Sequence, residues 1–374
     1  MMNRRLLLAA VVVAVACAGG RASEGRQDRE KRLLYVASPG IRNYLEWGGA
    51  GILIYDIDQG HKLLRRIPVS YMDAKDPEGK APENVKGICA SAKTRRLYVS
   101  TITRMACIDL STEKLLWVKR YPEGCDRMSI TPDGKKIYLP TFEKDDWYVV
   151  DAESGEVTAK ISPKSGAHNT VMSLDGSKVF LAGLKSPLLR VVDTRTDHIV
   201  GEIPFSASVR PFTVNGAGSR VFVCVNELLG FEVGDVTTGK FLHRVEVPGY
   251  KKGPVKRHGC PSHGVGLTPD EKELWVVDAF NKAVHVFDAT TMPPKYLQTI
   301  GSLIDDPGWV TFTLRGDYAY PSTGDVIDPK TRAIVARLKD EQGRDVQSEK
   351  LLEIDWAGDA PLRNGDQFGV GRAP

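Results

Sequence analysis

The sequence predicts an all-β chain folded as a seven-bladed propeller. Apolar strands that end in Asp and a polar turn recur seven times, at Asp56, Asp109, Asp151, Asp193, Asp235, Asp288 and Asp328, between 40 and 53 residues apart. Upstream of each Asp a β-rich stretch carries an aromatic: Tyr35, Tyr98, Tyr138, Phe180, Phe222, Trp275 and Tyr320. A strand-like piece with no unit of its own, Glu349 to Trp356, follows the last repeat. Four short strands every ~42 residues mark a propeller blade and leave no room for long helices.

Met1 to Arg5 and the apolar run from Leu6 to Ala18 have the charged and apolar regions of a secretory leader. That run is shorter than the roughly 20 residues needed to span a bilayer, so residues 1–22 are read as a signal peptide. Cleavage after Ala18 or Ala22 fits, and a lipoprotein anchored through Cys17 is the alternative, with Ala14 a poor residue three places before it. Export to the periplasm or the medium is therefore expected. Residues 23–31 form a charged linker.

The first repeat lacks an innermost strand, because Leu33 to Ala37 is already a second strand. If the C-terminal piece supplies the missing strand, both defects vanish and no sheet edge is left free. Residues 32–357 are thus one domain. The inner units follow a common plan, clearest in MSITPDG, KKIYLPT, WYVVDAESG and EVTAKI from Met128 to Ile161, where Asp and Asp-Gly turns suit tight reversals. The Gly- and Pro-rich stretch 358–374 is expected to run over the surface or fray, with Phe368 as its docking residue.

The composition, 42% hydrophobic and 26% charged with 36 Gly and 22 Pro, is that of a globular protein. Lys and Arg total 51 against 47 acids, but three of the cations (Arg4, Arg5, Arg21) leave with the leader, so the mature chain is near neutral and global attraction to nucleic acid is weak. Removing Cys17 leaves Cys89, Cys107, Cys125, Cys224 and Cys260, an odd number without a CxxC or CxxCH, which reads as buried small hydrophobes.

The strand Leu97-Tyr98-Val99-Ser100 and the Asp-turn-Gly elements that follow such strands resemble the YVTN-repeat, YncE-type propeller family over nearly all of 32–357. The turn Thr290-Thr291-Met292 and two long insertions depart from its repeat. The resemblance implies exported seven-bladed propellers, mostly without a defined activity. Some relatives bind single-stranded DNA, and similar propellers are lactonases or accompany redox subunits.

Short, stereotyped turns fall on one face, whereas the long loops 40–50, 70–84, 142–146 and 248–262 fall on the other, the top, where function is expected. Aligning the innermost strands places Lys86, Asp126, His168, Arg210, His263 and Gly308 in one row, with Gly87, Arg127, Asn169, Pro211, Gly264 and Trp309 in the next. Charge and imidazole at a channel mouth suit a small anionic or polar ligand, with Lys86, Asp126, Arg127, His168, Asn169, Arg210, His263 and Trp309 as the binding set. A water-filled mouth of mutually satisfied polar groups explains the same residues.

Three further readings attach to single features. His258, Cys260 and His263 form an HxCxxH cluster that suits zinc or copper but lacks a fourth ligand at fixed spacing. Lys251, Lys252, Lys256 and Arg257 beside Tyr250 offer phosphate contacts and a stacking ring, although a solvated basic loop is the plainer account. A lactonase-type hydrolysis would use Arg210 or Arg127 as oxyanion holder and His168 or His263 as base. GxSxG, HExxH, P-loop and EF-hand patterns are absent, which removes the common serine hydrolase, zincin and nucleotide-dependent classes. The expectation is a monomeric, exported binding or interaction protein with a small-molecule or protein partner on its top face. No cofactor is predicted; lactonase activity, single-stranded DNA binding, or service as an accessory subunit of a periplasmic redox enzyme are the alternatives.

Overall fold

The computed structural model describes residues 30–69, 75, 79–255 and 259–373. The leader, Cys17, nearly all of the linker, most of 70–78, and Lys256, Arg257 and His258 lie outside the described residues.

Seven antiparallel sheets surround a central channel. Six have four strands from consecutive stretches of chain, as in the second blade, Val85–Ser91, Arg96–Thr101, Arg104–Asp109 and Leu115–Arg120. The one helix among the described residues is a single 3-10 turn, Ile57–Gln59. The third strand of every blade ends at or beside the predicted Asp, and each Asp carboxylate accepts backbone N–H bonds from the turn that follows, such as Ser111 and Thr112 to Asp109 and Lys330 to Asp328. A short acceptor side chain that satisfies its own turn is the physical reason for the repeat.

The aromatic repeat ties neighbouring blades together. Tyr98 donates its hydroxyl to the carbonyl of Ala152 at 3.0 Å, and Tyr138 donates to Asp197, both in the Asp turn of the next blade. Tyr320 of the seventh blade meets His61 Nε2, beside the Asp turn of the first, at 2.8 Å. An apolar cluster fills every gap between adjacent blades, the last joining Leu34, Val36, Leu53 and Tyr55 to Tyr320, Val326, Leu338 and Val346. The ring is therefore continuous.

Closure is made as predicted. Strand Leu351–Ala357 pairs antiparallel with Lys31–Ser38, Leu352 opposite Tyr35 and Trp356 opposite Lys31. A fifth strand, Ala360–Asn364, adds to its inner side. The rest of the C-terminal stretch corrects the expectation of a surface or frayed tail. Residues 365–373 cross the channel end opposite the mouth. Gly371 donates to Val214 at 2.9 Å, Leu267 and Thr213 donate to the Gly369 carbonyl at 2.8 and 2.7 Å, and Trp309 Nε1 donates to that of Gln367. The glycines permit this: Gly369 has φ 58°, and a Cβ there would press on the Cα of Gly266. Phe368 docks as expected, buried with Val370 among Phe212, Val214 and Trp309.

Two deletions and one substitution test this closure. Removing residues 348–374 is expected to abolish soluble, folded protein, because strand Lys31–Ser38 becomes an open edge. Phe368→Ala is expected to lower the unfolding free energy by about 3 kcal/mol, the usual cost of emptying a buried aromatic site. Removing only 365–374 should leave a folded but less stable ring, measured by chemical denaturation.

Candidate functional site

In every blade the repeat aromatic fixes the register of the inner strand. Tyr98 pairs with Cys89, Tyr138 with Ser129, Phe180 with Val171, Phe222 with Thr213, Trp275 with Gly266 and Tyr320 with Thr311. Three positions before these partners stand Lys86, Asp126, His168, Arg210, His263 and Gly308, the predicted row. Pairing shifts at Lys86, His168 and Arg210-Pro211, where the inner strand bulges and frees the side chain from the sheet alternation. In the first blade Tyr35 pairs with Leu352, so Glu349 and Lys350 hold the two row positions there. Sequence reasoning missed both, although extending the closure of the first blade to the row identifies them.

Lys86, Asp126, Arg127 and His168 join these two in one buried contact chain. Asp126 Oδ2 lies 2.6 Å from His168 Nδ1, and Lys86 Nζ lies 3.7 Å from Oδ1. His168 Nε2 is 3.3 Å from Arg127 Nη1, whose other nitrogen pairs with Glu349. Glu349 in turn accepts from Lys350 Nζ at 2.7 Å, and that ammonium also donates to the Gly40 carbonyl at 2.8 Å. The Arg127 guanidinium stacks 4.3 Å above the Trp309 ring, and Trp309 rests on Phe368. Three cations meet two carboxylates, leaving one positive charge in excess.

The chemistry of the partners assigns the tautomer of His168. Burial would raise the Asp126 carboxyl, but His168, Lys86 and Arg127 outweigh it and hold it down at about 2. An ionised carboxylate only accepts, so Nδ1 carries the proton; a guanidinium only donates, so Nε2 accepts. Burial, with Arg127 and Lys86 adding repulsion against the attraction of Asp126, lowers His168 to about 4. The imidazole is neutral at physiological pH, and its one lone pair is directed at Arg127. Lys350, fully enclosed and beside Arg127, is lowered to about 7 despite the opposing pull of Glu349. Burial takes the His168 imidazole out of the neutral range, and Lys350 titrates there instead.

The remaining predicted residues lie around this chain. The Asn169 backbone bridges to that of Arg127, and its buried amide oxygen and nitrogen find no partner. Arg127 Nε is likewise unpartnered. His263 donates its Nδ1–H to the Gly308 carbonyl at 3.1 Å, and its ring lies 6.2 Å from that of Trp309. Arg210 turns the other way, against Cys260 and Gly259, where an added Cβ would collide with its guanidinium.

Cys260 is buried, donates to the Ser262 carbonyl at 3.0 Å, and has its thiol pushed up to about 12 by burial against the opposing pull of Arg210. With His258 outside the described residues, Cys260 and His263 belong to no metal-binding group among them. All five described cysteines are buried and unpaired to one another. Of the basic loop, Lys252 pairs with Glu227 at 2.6 Å and Lys251 is exposed. No helix among the described residues is long and apolar enough to cross a membrane.

No protein-family model matches the chain, and no curated protein matches it in sequence. Among solved structures it is similar to Kuenenia stuttgartiensis hydrazine synthase, with a TM-score of 0.55 at 16% identity, over 80% of this chain and 90% of that one. A likeness at that identity carries the propeller fold and nothing finer.

The depressed His168 makes stability depend on pH with a definite sign. An unfolded chain binds the proton near 6.5 and the folded protein only near 4, so acidification through this window favours unfolding. The contribution is fully present above about 6.5 and amounts to about 3 kcal/mol once lost. Glu353, raised by burial to about 7 against the pull of Arg32, contributes with the opposite sign between 4.5 and 7. Subtracting the denaturation profile of His168→Asn from that of the wild type isolates the histidine: the difference should fall as pH is lowered from 6.5 to 4, and a flat difference contradicts the assignment.

Proposed function

We propose that this chain is an exported binding propeller of the YncE type that recognises a small anionic or polar ligand at the top mouth of its channel. What supports this most directly is the contact chain from Lys86 to Lys350, which carries one positive charge in excess beside a buried Asn169 amide with no partner at either end. A buried amide without partners costs on the order of 1–3 kcal/mol, a cost that water or a polar ligand removes. Half-buried Lys86 marks the approach to this group from the solvent. The charged leader and its short apolar run support export.

The lactonase reading gains less from the same geometry. A general base needs a free lone pair within reach of a water, and that of His168 Nε2 faces the Arg127 guanidinium. Nucleic-acid binding would draw on Lys251 and Lys252, the second of which already has an acid partner.

Calorimetric titration with phosphate, citrate and neutral sugars tests the proposal. An anion is expected to bind, about tenfold more weakly in Lys86→Gln. Affinity should fall as pH rises from 6.5 to 8.5, because Lys350 loses its charge near 7. Absence of binding by every anion, or turnover of a lactone panel abolished by His168→Ala, would reject this reading.

A further inference from the structure

The residues after the fifth strand of the first blade do more than floor the channel. Between them and the lower ends of the second, third and fourth inner strands lies a cavity of about 320 Å³, on the face opposite the mouth. Its size is at the lower end of the range for small-molecule sites. Its wall is partly apolar, with Met128, Met172, Leu174, Phe368 and Val370. Its rim carries Lys93, Arg363 and Arg372 against one acid, Asp366.

The acid is already committed. Asp366 accepts from Arg372 at 2.8 Å and from the backbone N–H of Phe368 at 2.7 Å. Arg363 is held by Asp355 and Glu30. Lys93 is exposed and, among the described residues, makes no ion pair of 4 Å or less, its acidic neighbour Asp133 acting only at longer range.

Deep in the wall, Gln367 supplies an independent signal. Its Nε2 donates to the Met128 carbonyl at 3.3 Å, which fixes the amide orientation, since the reverse would set oxygen against oxygen. The other end, Oε1, is buried and has no partner. The wall therefore presents an acceptor that requires a donor.

From these features we infer that the lower cavity binds a small organic carboxylate with an apolar body and a hydroxyl or amino donor at its far end. The carboxylate meets Lys93 at the rim, the body lies along Met128 and Phe368, and the donor reaches Gln367 Oε1. A molecule the size of an aromatic hydroxy acid has these three parts. The site is separate from the proposed anion site at the mouth, with Trp309 and Phe368 between them.

Three probes separate the contributions: 4-hydroxyphenylacetate, phenylacetate without the donor, and p-cresol without the carboxylate. Titrated against the full chain by calorimetry, 4-hydroxyphenylacetate is expected to bind at least fivefold more tightly than either, since each missing group forfeits one polar contact. Lys93→Met should weaken 4-hydroxyphenylacetate and leave p-cresol unchanged. Gln367→Leu should erase the advantage of 4-hydroxyphenylacetate over phenylacetate, with retained folding verified by its unfolding transition. If that variant does not fold, the Lys93→Met and Lys93→Glu pair decides: equal affinity in wild type and both variants overturns the inference. So does the absence of binding by all three probes at millimolar concentration.

Discussion

Seven sheets share one axis only when the first and last are joined, and here the joint is the pairing of Leu351–Ala357 with Lys31–Ser38. Each of the other inner strands is continuous in sequence with the rest of its blade. The first blade alone is assembled from two distant segments, so its hydrogen bonds convert a linear array of blades into a ring. Before that pairing forms, the apolar faces of Leu34 and Val36 on one side and of Tyr320 and Val326 on the other have no partner. Closure buries them together, and the Tyr320–His61 contact repeats between the last blade and the first what Tyr98 and Tyr138 do between consecutive ones.

The same strand shapes the chemistry of the channel. Glu349 and Lys350 precede it directly and occupy the first-blade positions of the charged row, so the segment that closes the ring also brings a carboxylate to Arg127 and a cation to that carboxylate. Without Glu349 the Arg127 guanidinium would lose its directly paired carboxylate and keep only the more distant pull of Asp126, an expensive arrangement in a buried site. Stability and the polar cluster are therefore coupled through one stretch of nine residues, 349–357. Beyond it, the chain turns under the channel, and Trp309 becomes a partition with the charged cluster above and Phe368 below.

Blade number, closure and the charged row were legible because the repeat has a local physical cause. An Asp that caps its own turn and an aromatic buried one strand earlier recur at fixed places, and pairing through the aromatic sets the register of the inner strand. Alignment of the inner strands thus reached Lys86 and His168, which stand in equivalent register three positions before the partners of Tyr98 and Phe180. Glu349 and Lys350 escaped because the row was aligned over the six blades whose inner strand is local in sequence. The tail escaped for a different reason. Gly365, Gly369 and Gly371 read locally as freedom, whereas the close approach of Gly369 to Gly266 is a tertiary demand with no local signal. The protonation of His168 was equally hidden, since burial and the two cations beside it come from different blades.

The central claim, that one non-local pairing holds the ring, is tested most directly by native-state hydrogen exchange read residue by residue. If closure and folding are one event, the amides of strand Leu351–Ala357 and of Lys31–Ser38 exchange only through global unfolding. Their opening free energies then equal that of the core strands of the fourth and fifth blades and fall in parallel with them as denaturant is added. Exchange of the closing strand at a much lower free energy, independent of denaturant, while the other blades remain protected, would show a ring that stands without its joint and would contradict the account.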